Sequence, residues 1–338
     1  MTGTRDPLAE AQRLIEIGKP SAVLGVLGEL ASEVYAAAML AGIAANRLGD
    51  LTDAAARFQR AMEIDPEKSE AALNLGLTFR AMEDNVRAES AFRHAMELSP
   101  ESVTTKFALG NLLLQKGAYI EAAELFERIV RASPHHIGAL NNLGICCSRL
   151  GRMDRSTKQF EAIIALEPEN TVALANLGAI RSEQGRSDEA IDLLNRALNL
   201  VPGQVEASNN LGVALMDKGR YGEAAALLQP LANGDGAGAE TLSNLGNVLA
   251  KLGDTVGAAA AYEEALGHKA DAGIRVKRAM LLPIVCASRE AMYLARKDFV
   301  RRVDALISDP PALGDAFAEV GMPTFTLSYQ DCCNREIM

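Results

Sequence analysis

The sequence predicts an all-α chain, built as a solenoid of stacked helix hairpins rather than as a globule around one core. Two observations carry that class. Glycine returns every 34 residues without insertion, at Gly42, Gly76, Gly110, Gly144, Gly178, Gly212 and Gly246. Around each glycine the same small and apolar residues recur at helical spacing, and a period of this length marks an array whose units bury their faces against one another.

Residues 1–34 read as a degenerate N-terminal capping helix pair. Pro7 stands near a helix start, Gly18 and Pro20 mark a turn, and Leu24, Leu27 and Leu30 form an apolar stripe. Residues 35–272 then divide into seven units of 34 residues with the glycine in column 8. Column 20 holds Ala54, Ala88, Ala122, Ser156, Ala190, Ala224 and Ala258. Column 24 holds Phe58, Phe92, Phe126, Phe160, Leu194, Leu228 and Tyr262, and column 27 is apolar throughout. Columns 20, 24 and 27 lie on one helix face, so a second helix crosses the first near its glycine.

The midpoint of the unit is a turn. Gly49, Gly117, Gly151, Gly185, Gly219 and Gly253 occupy column 15, with Glu83 the exception, and a residue just past a helix end must tolerate left-handed backbone angles. Pro66, Pro100, Pro134, Pro168 and Pro202 in column 32 end the second helix. These columns resemble the tetratricopeptide repeat family, a resemblance that covers residues 35–272 and implies a right-handed superhelix of helix hairpins. Repeat six departs from the pattern. Pro230 falls inside its second helix and Asn233-Gly234-Asp235-Gly236-Ala237-Gly238 replaces the last turn, which predicts a short helix and a looser seam.

Beyond residue 272 the period stops. Residues 273–308 read as C-terminal capping helices: an apolar one over Ile274–Leu282, a break at Pro283, and an amphipathic one from Ser288 to Ile307. Residues 309–338 read as a linker and the start of a truncated α/β domain, because residues 324–329 alternate apolar and polar side chains as a strand does. A lone strand is unstable, so the expectation is a longer protein or a homodimer that supplies a partner strand.

Composition narrows the function classes. With 34 basic against 44 acidic residues, a formal charge of −10 and no long Lys/Arg run, nucleic acid is not the expected partner. No apolar run approaches the ~20 residues of a membrane span and no secretory leader is evident, which points to the cytoplasm. Five cysteines, including the pairs Cys146–Cys147 and Cys332–Cys333, lack disulfide-framework or zinc spacing. Cys146 and Cys147 read as core residues, and His135 and His136 as solvent-exposed turn residues. The basic stretch Arg296, Lys297, Arg301 and Arg302 reads as a solvated helix face. No catalytic constellation, metal site or cofactor motif emerges.

Function is expected on the first helix of each unit. Column 6 reads Leu40, Asn74, Ala108, Asn142, Asn176, Asn210 and Asn244, although asparagine is a middling helix former and the glycine crossing does not require it. A carboxamide presents a donor beside an acceptor, as one peptide unit of an extended chain does. Asn141 and Asn209 in column 5, with Asn111 and Asn247 in column 9, widen this polar strip. The expectation is an asparagine ladder that binds an extended protein or peptide segment; five rungs at ~0.5–1.5 kcal/mol each approach micromolar affinity. Bridging of neighbouring helices by the same amides is the alternative.

Column 2, with Glu70, Glu206 and Glu240 and no lysine, lacks the clamp for a terminal carboxylate found in chaperone-binding relatives. An asparagine ladder on such repeats resembles the substrate-recruiting arm of O-linked N-acetylglucosamine transferases and SPINDLY-type relatives, and residues 274–283, the helix near Ser288–Ile307 and the strand Phe325–Tyr329 together resemble the join to their catalytic lobes. That resemblance implies the non-catalytic arm of a protein glycosyltransferase. A scaffold for assembling protein complexes, unconnected with glycosylation, is the other reading.

Overall fold

The period of 34 residues appears in space as helix hairpins in this computed structural model, which describes residues 6–234, 237–282 and 288–312. The chain divides into two compact units, Met1–Leu166 and Glu167–Met338. Among the described residues every regular element is helical. The strand expected at 324–329 and the break at Pro283 lie outside the described residues.

The first unit opens with α1 (Pro7–Glu16), a 3-10 turn (Pro20–Ala22), α2 (Val23–Leu27) and α3 (Leu30–Glu33). Asp6 caps α1 by accepting from the Leu8 N–H at 3.0 Å. Gly28, at φ 51, separates α2 from α3, so the second half of this pair is broken. Ala11, Leu14, Val23, Leu27 and Ala31 bury themselves against Ala37, Ala41 and Ala44 of the following helix. Four hairpins complete the unit: α4 (Tyr35–Arg47) with α5 (Leu51–Ile64), α6 (Ser69–Ala81) with α7 (Asn85–Leu98), α8 (Val103–Gln115) with α9 (Tyr119–Ala132), and α10 (Ile137–Arg149) with α11 (Met153–Leu166).

The second unit holds three hairpins: α12 (Thr171–Glu183) with α13 (Ser187–Leu200), α14 (Val205–Asp217) with α15 (Tyr221–Ala232), and α16 (Ala239–Leu252) with α17 (Thr255–His268). The helices α18 (Ala272–Ala279) and α19 (Arg289–Ser308) follow.

Each hairpin has the same local causes. The column-15 glycines hold left-handed angles, φ 81 at Gly49 and 85 at Gly253, and Glu83 is forced to φ 61. Just beyond, Asp50, Asp84 and Asp254 cap their helices by accepting from the N–H groups of Asp53, Arg87 and Gly257 at 3.0, 2.9 and 2.8 Å. The column-8 glycines are required by space. A methyl carbon built at Gly76 would lie 2.5 Å from the Phe92 ring, at Gly144 2.7 Å from Phe160, and at Gly212 2.9 Å from Leu228. Because the backbone yields this room, Phe58, Phe92, Phe126 and Phe160 are wholly buried, each contributing about 2–3 kcal/mol of apolar burial.

Several expectations are adjusted. The helix carrying Pro230 is short, ending at Ala232; α15 packs on α16 as other second helices pack on the next repeat, but it packs less extensively on α14 than the partners in the other hairpins do, so the loosening falls within the hairpin. Pro230, two residues before the end of α15, removes one hydrogen bond of the helix. The apolar helix ends at Ala279 rather than Leu282, and Leu282 turns to pack on Phe299 of α19. Arg302 holds that turn by donating to the carbonyls of Arg278 and Leu281, both at 2.8 Å. Arg296 is buried, so two of the four basic residues there are structural and the face is not uniformly solvated. His135 is exposed, but His136 is half-buried, capping α10 through its Nδ1 (3.1 Å from the Ala139 N) and packing on the Phe107 ring. Cys146 and Cys147 are core residues.

Candidate functional site

The first helices of successive repeats lie side by side within each unit. In the second unit α12 contacts α14 and α14 contacts α16; in the first, α8 contacts α10. Within each unit column 6 therefore brings one side chain per repeat to that unit's face, and Asn74, Asn142, Asn176, Asn210 and Asn244 are all half-buried.

The two units use these amides differently. In the first, Asn74 Nδ2 donates to its own helix, to the Glu70 carbonyl at 2.8 Å. Asn142 Nδ2 donates to Asn111 Oδ1 at 2.6 Å, and Asn141 Nδ2 donates to Asn142 Oδ1 at 3.0 Å. Asn111, Asn141 and Asn142 thus form a chain of amides between α8 and α10, the bridging role. Asn141 Oδ1 is buried without a partner among the described residues, a cost the protein bears beside this chain.

In the second unit the side chains of Asn176, Asn210 and Asn244 make no hydrogen bond among the described residues, and each keeps both donor and acceptor free. Asn209 is different. It is 3% exposed with Oδ1 buried and unpartnered, so it belongs to the helix packing and not to an accessible strip. Asn247 Oδ1 accepts from the Tyr262 hydroxyl at 2.9 Å and is engaged as well. Of the nine asparagines singled out by sequence, three stand free in neighbouring repeats.

Next to Asn244 the face continues into a cleft of about 380 Å³, lined by Ser243, Asn244, Lys269, Asp271 and Lys277. Burial pushes the Lys277 ammonium below the usual lysine range, against a smaller upward pull from Asp271. No lysine of this region stands out in the columns, because the interval from Asn244 to Lys277 is one residue short of the period. A cap counted from helix starts would have found it. Among the described residues no group of three His, Cys, Asp or Glu side chains could hold a metal ion, and no helix is long and apolar enough to cross a membrane.

Family profiles described as tetratricopeptide repeat match residues 73–137, 137–203, 176–239 and 209–273, together more than half of the chain. The chain belongs to the tetratricopeptide repeat family. A tetratricopeptide repeat protein from Parabacteroides merdae superposes with a TM-score of 0.61 at 16% identity, covering 79% of this chain and 98% of its own. PilF of Pseudomonas aeruginosa superposes with a TM-score of 0.50 at 20% identity, covering 59% and 90%. At these identities the likeness is one of fold. No curated protein matches the chain. As a tetratricopeptide repeat protein it has the architecture of a protein–protein interaction module, and the unpartnered amides mark where its repeats offer polar groups.

Proposed function

We propose that the chain binds an extended polypeptide segment along the first-helix face of its second unit, with Asn176, Asn210 and Asn244 pairing with the segment's peptide groups. The observation that supports this reading is the freedom of these three amides, one per repeat on successive helices, while Asn142 and Asn247 are engaged within the protein. Packed helices stand about 8–10 Å apart and an extended chain advances about 3.3 Å per residue, so each rung meets roughly every third residue of the segment. Contacts to backbone are indifferent to sequence, so the expected ligands are extended segments of varied sequence.

Magnitudes limit the ladder. Three rungs at ~0.5–1.5 kcal/mol amount to about 3 kcal/mol, weaker than millimolar binding by themselves, and short of the micromolar binding five rungs would approach. Side-chain contacts must therefore supply the remainder. The narrower reading, in which the module recruits acceptor segments for a protein glycosyltransferase, rests on the asparagine column and on residues 274–283. Fluorescence titration of acetylated, amidated extended peptides tests the core reading. Replacing Asn176, Asn210 and Asn244 together by alanine should weaken binding at least tenfold without unfolding the chain; unchanged binding would end the proposal.

A scaffold that self-assembles is favoured by one observation, the exposure of Tyr293, Leu294 and Ile307 on α19. Light scattering of the purified chain decides it, since a monomer at tens of micromolar removes the homodimer.

A further inference from the structure

The second unit is acidic until its last two helices. Residues 167–268 carry 6 basic against 14 acidic residues, whereas residues 269–308, which hold α18 and α19, carry 9 basic against 4 acidic. Three of those basic residues meet in one place. Where α18 lies between α17 and α19, a cleft of about 160 Å³ is lined by Arg275, Arg278, Arg302 and the apolar Leu266, Ala279 and Leu306. Arg275 and Arg278 stand three residues apart on one face of α18. Arg302 is fixed opposite them by donating to the carbonyls of Arg278 and Leu281, both at 2.8 Å. Among the described residues no carboxylate lines this cleft.

The carboxylates that pair with these arginines stand outside it. Arg275 donates to Asp309 Oδ2 at 2.8 Å, Arg278 pairs with Glu263, and Arg302 lies 3.0 Å from Asp298 Oδ2. The Asp309 and Glu263 side chains are 80% and 61% exposed, so water screens both pairs and each contributes little. They also leave donors over. A guanidinium carries five N–H groups, and Arg275 and Arg278 each engage their carboxylate through Nη2 alone. Burial above all, together with the like charges of Arg278 and Arg301, pushes the Arg302 guanidinium below the usual arginine range against the pull of Asp298, and an anion in the cleft would relieve that crowding.

We infer that this cleft binds a phosphate group, gripped by Arg275 and Arg278 with Arg302 as its floor. A phosphate monoester brings three acceptor oxygens and a charge of about −1.5 to −2, so it answers several guanidinium forks at once where each outer carboxylate answers one. The group belongs either to a free phosphate ion or to a phosphorylated serine of a bound protein. The site is independent of the asparagine face and stands or falls without it.

Isothermal calorimetry of the full chain at constant ionic strength tests this with inorganic phosphate, a phosphoserine peptide and the same peptide with serine. Inorganic phosphate should bind with Kd below about 10 mM, and the phosphoserine peptide should bind at least about tenfold tighter than its serine counterpart. A phosphoserine peptide tighter than the ion identifies a protein source, and an ion as tight or tighter identifies free phosphate. Arg275→Gln with Arg278→Gln should weaken phosphate binding about tenfold. Glu263→Gln with Asp309→Asn should tighten it about threefold by removing the competing carboxylates, a gain that arginines serving only to hold the helices together would not produce. If the arginine pair unfolds the chain, that tightening decides. No phosphate heat, equal affinity for the two peptides, or an affinity indifferent to both pairs of substitutions overturns the inference.

Discussion

Asn142 Nδ2 donates to Asn111 Oδ1 at 2.6 Å, joining α8 to α10 across one repeat boundary. The same column that leaves Asn176, Asn210 and Asn244 free thus serves as a strut in the first unit. Column identity sets the position of an amide, and its neighbours decide its use: Asn74 turns back to the Glu70 carbonyl of its own helix, while Asn142 meets Asn111 in column 9 of the preceding repeat.

Asn142→Ala should accordingly act on stability. It removes two neutral hydrogen bonds, one to Asn111 and one from Asn141, so a loss of about 1–3 kcal/mol is expected. Amide hydrogen exchange in α8 and α10 should accelerate while peptide affinity stays constant. Constant exchange and lowered affinity would assign Asn142 to the ladder.

Gly76→Ala should destabilise the α6–α7 hairpin by about 1–3 kcal/mol, because the new methyl group would stand 2.5 Å from a wholly buried Phe92 ring. At Gly212 the obstacle is the branched end of Leu228 at 2.9 Å, which can rotate away more readily than a ring. Gly212→Ala should therefore cost less, and denaturant unfolding of the two variants gives the order.

Glu83→Gly should stabilise. Glu83 is exposed and holds φ 61, where the corresponding residues of other repeats are glycines, and a left-handed conformation costs a residue with a side chain roughly 1–2 kcal/mol. Part of that is lost to the greater freedom of glycine in the unfolded chain, leaving a net gain below about 1 kcal/mol. A melting temperature unchanged or lowered in Glu83→Gly would show that the Glu83 side chain compensates its backbone.

These cases show what the sequence could convey. The hairpins follow from Gly76 and Phe92, because close approach needs a missing side chain at a fixed interval and the interval is visible. The status of each asparagine does not, since Asn209 and Asn210 are neighbours of the same chemistry and only helix packing buries one and half-exposes the other. Lys277 is hidden for a different reason. One missing residue between α16 and α18 shifts it out of its column, and the cap at Asp271 restores the register only when the helix start is known.

Cys146 should be inert in the folded chain. Burial first, and then the neighbouring Cys147, push its thiol up to about 11, so the reactive thiolate is scarce at neutral pH. Alkylation with iodoacetamide at pH 7.5 followed by peptide mapping should leave Cys146 and Cys147 unmodified until denaturant is added. Modification of either at the rate of a free thiol would mean that the α10 core opens frequently.

The first unit should lose stability in acid through Glu89. Its carboxylate accepts from Lys116 and from Arg93, which also pairs with Glu121 at 2.7 Å, so these hydrogen bonds hold Glu89 below the ordinary glutamate range, the Lys116 contact most of all. A carboxylate depressed in the folded state stabilises above its unfolded value, about 4.3, and that contribution disappears as pH falls through the folded value. Melting temperature should thus be steady from pH 7 to about 5 and decline below about 4, and Glu89→Gln should start lower at pH 7 and decline less steeply. A Glu89→Gln chain with the wild-type slope below pH 4 would place the acid sensitivity in other carboxylates.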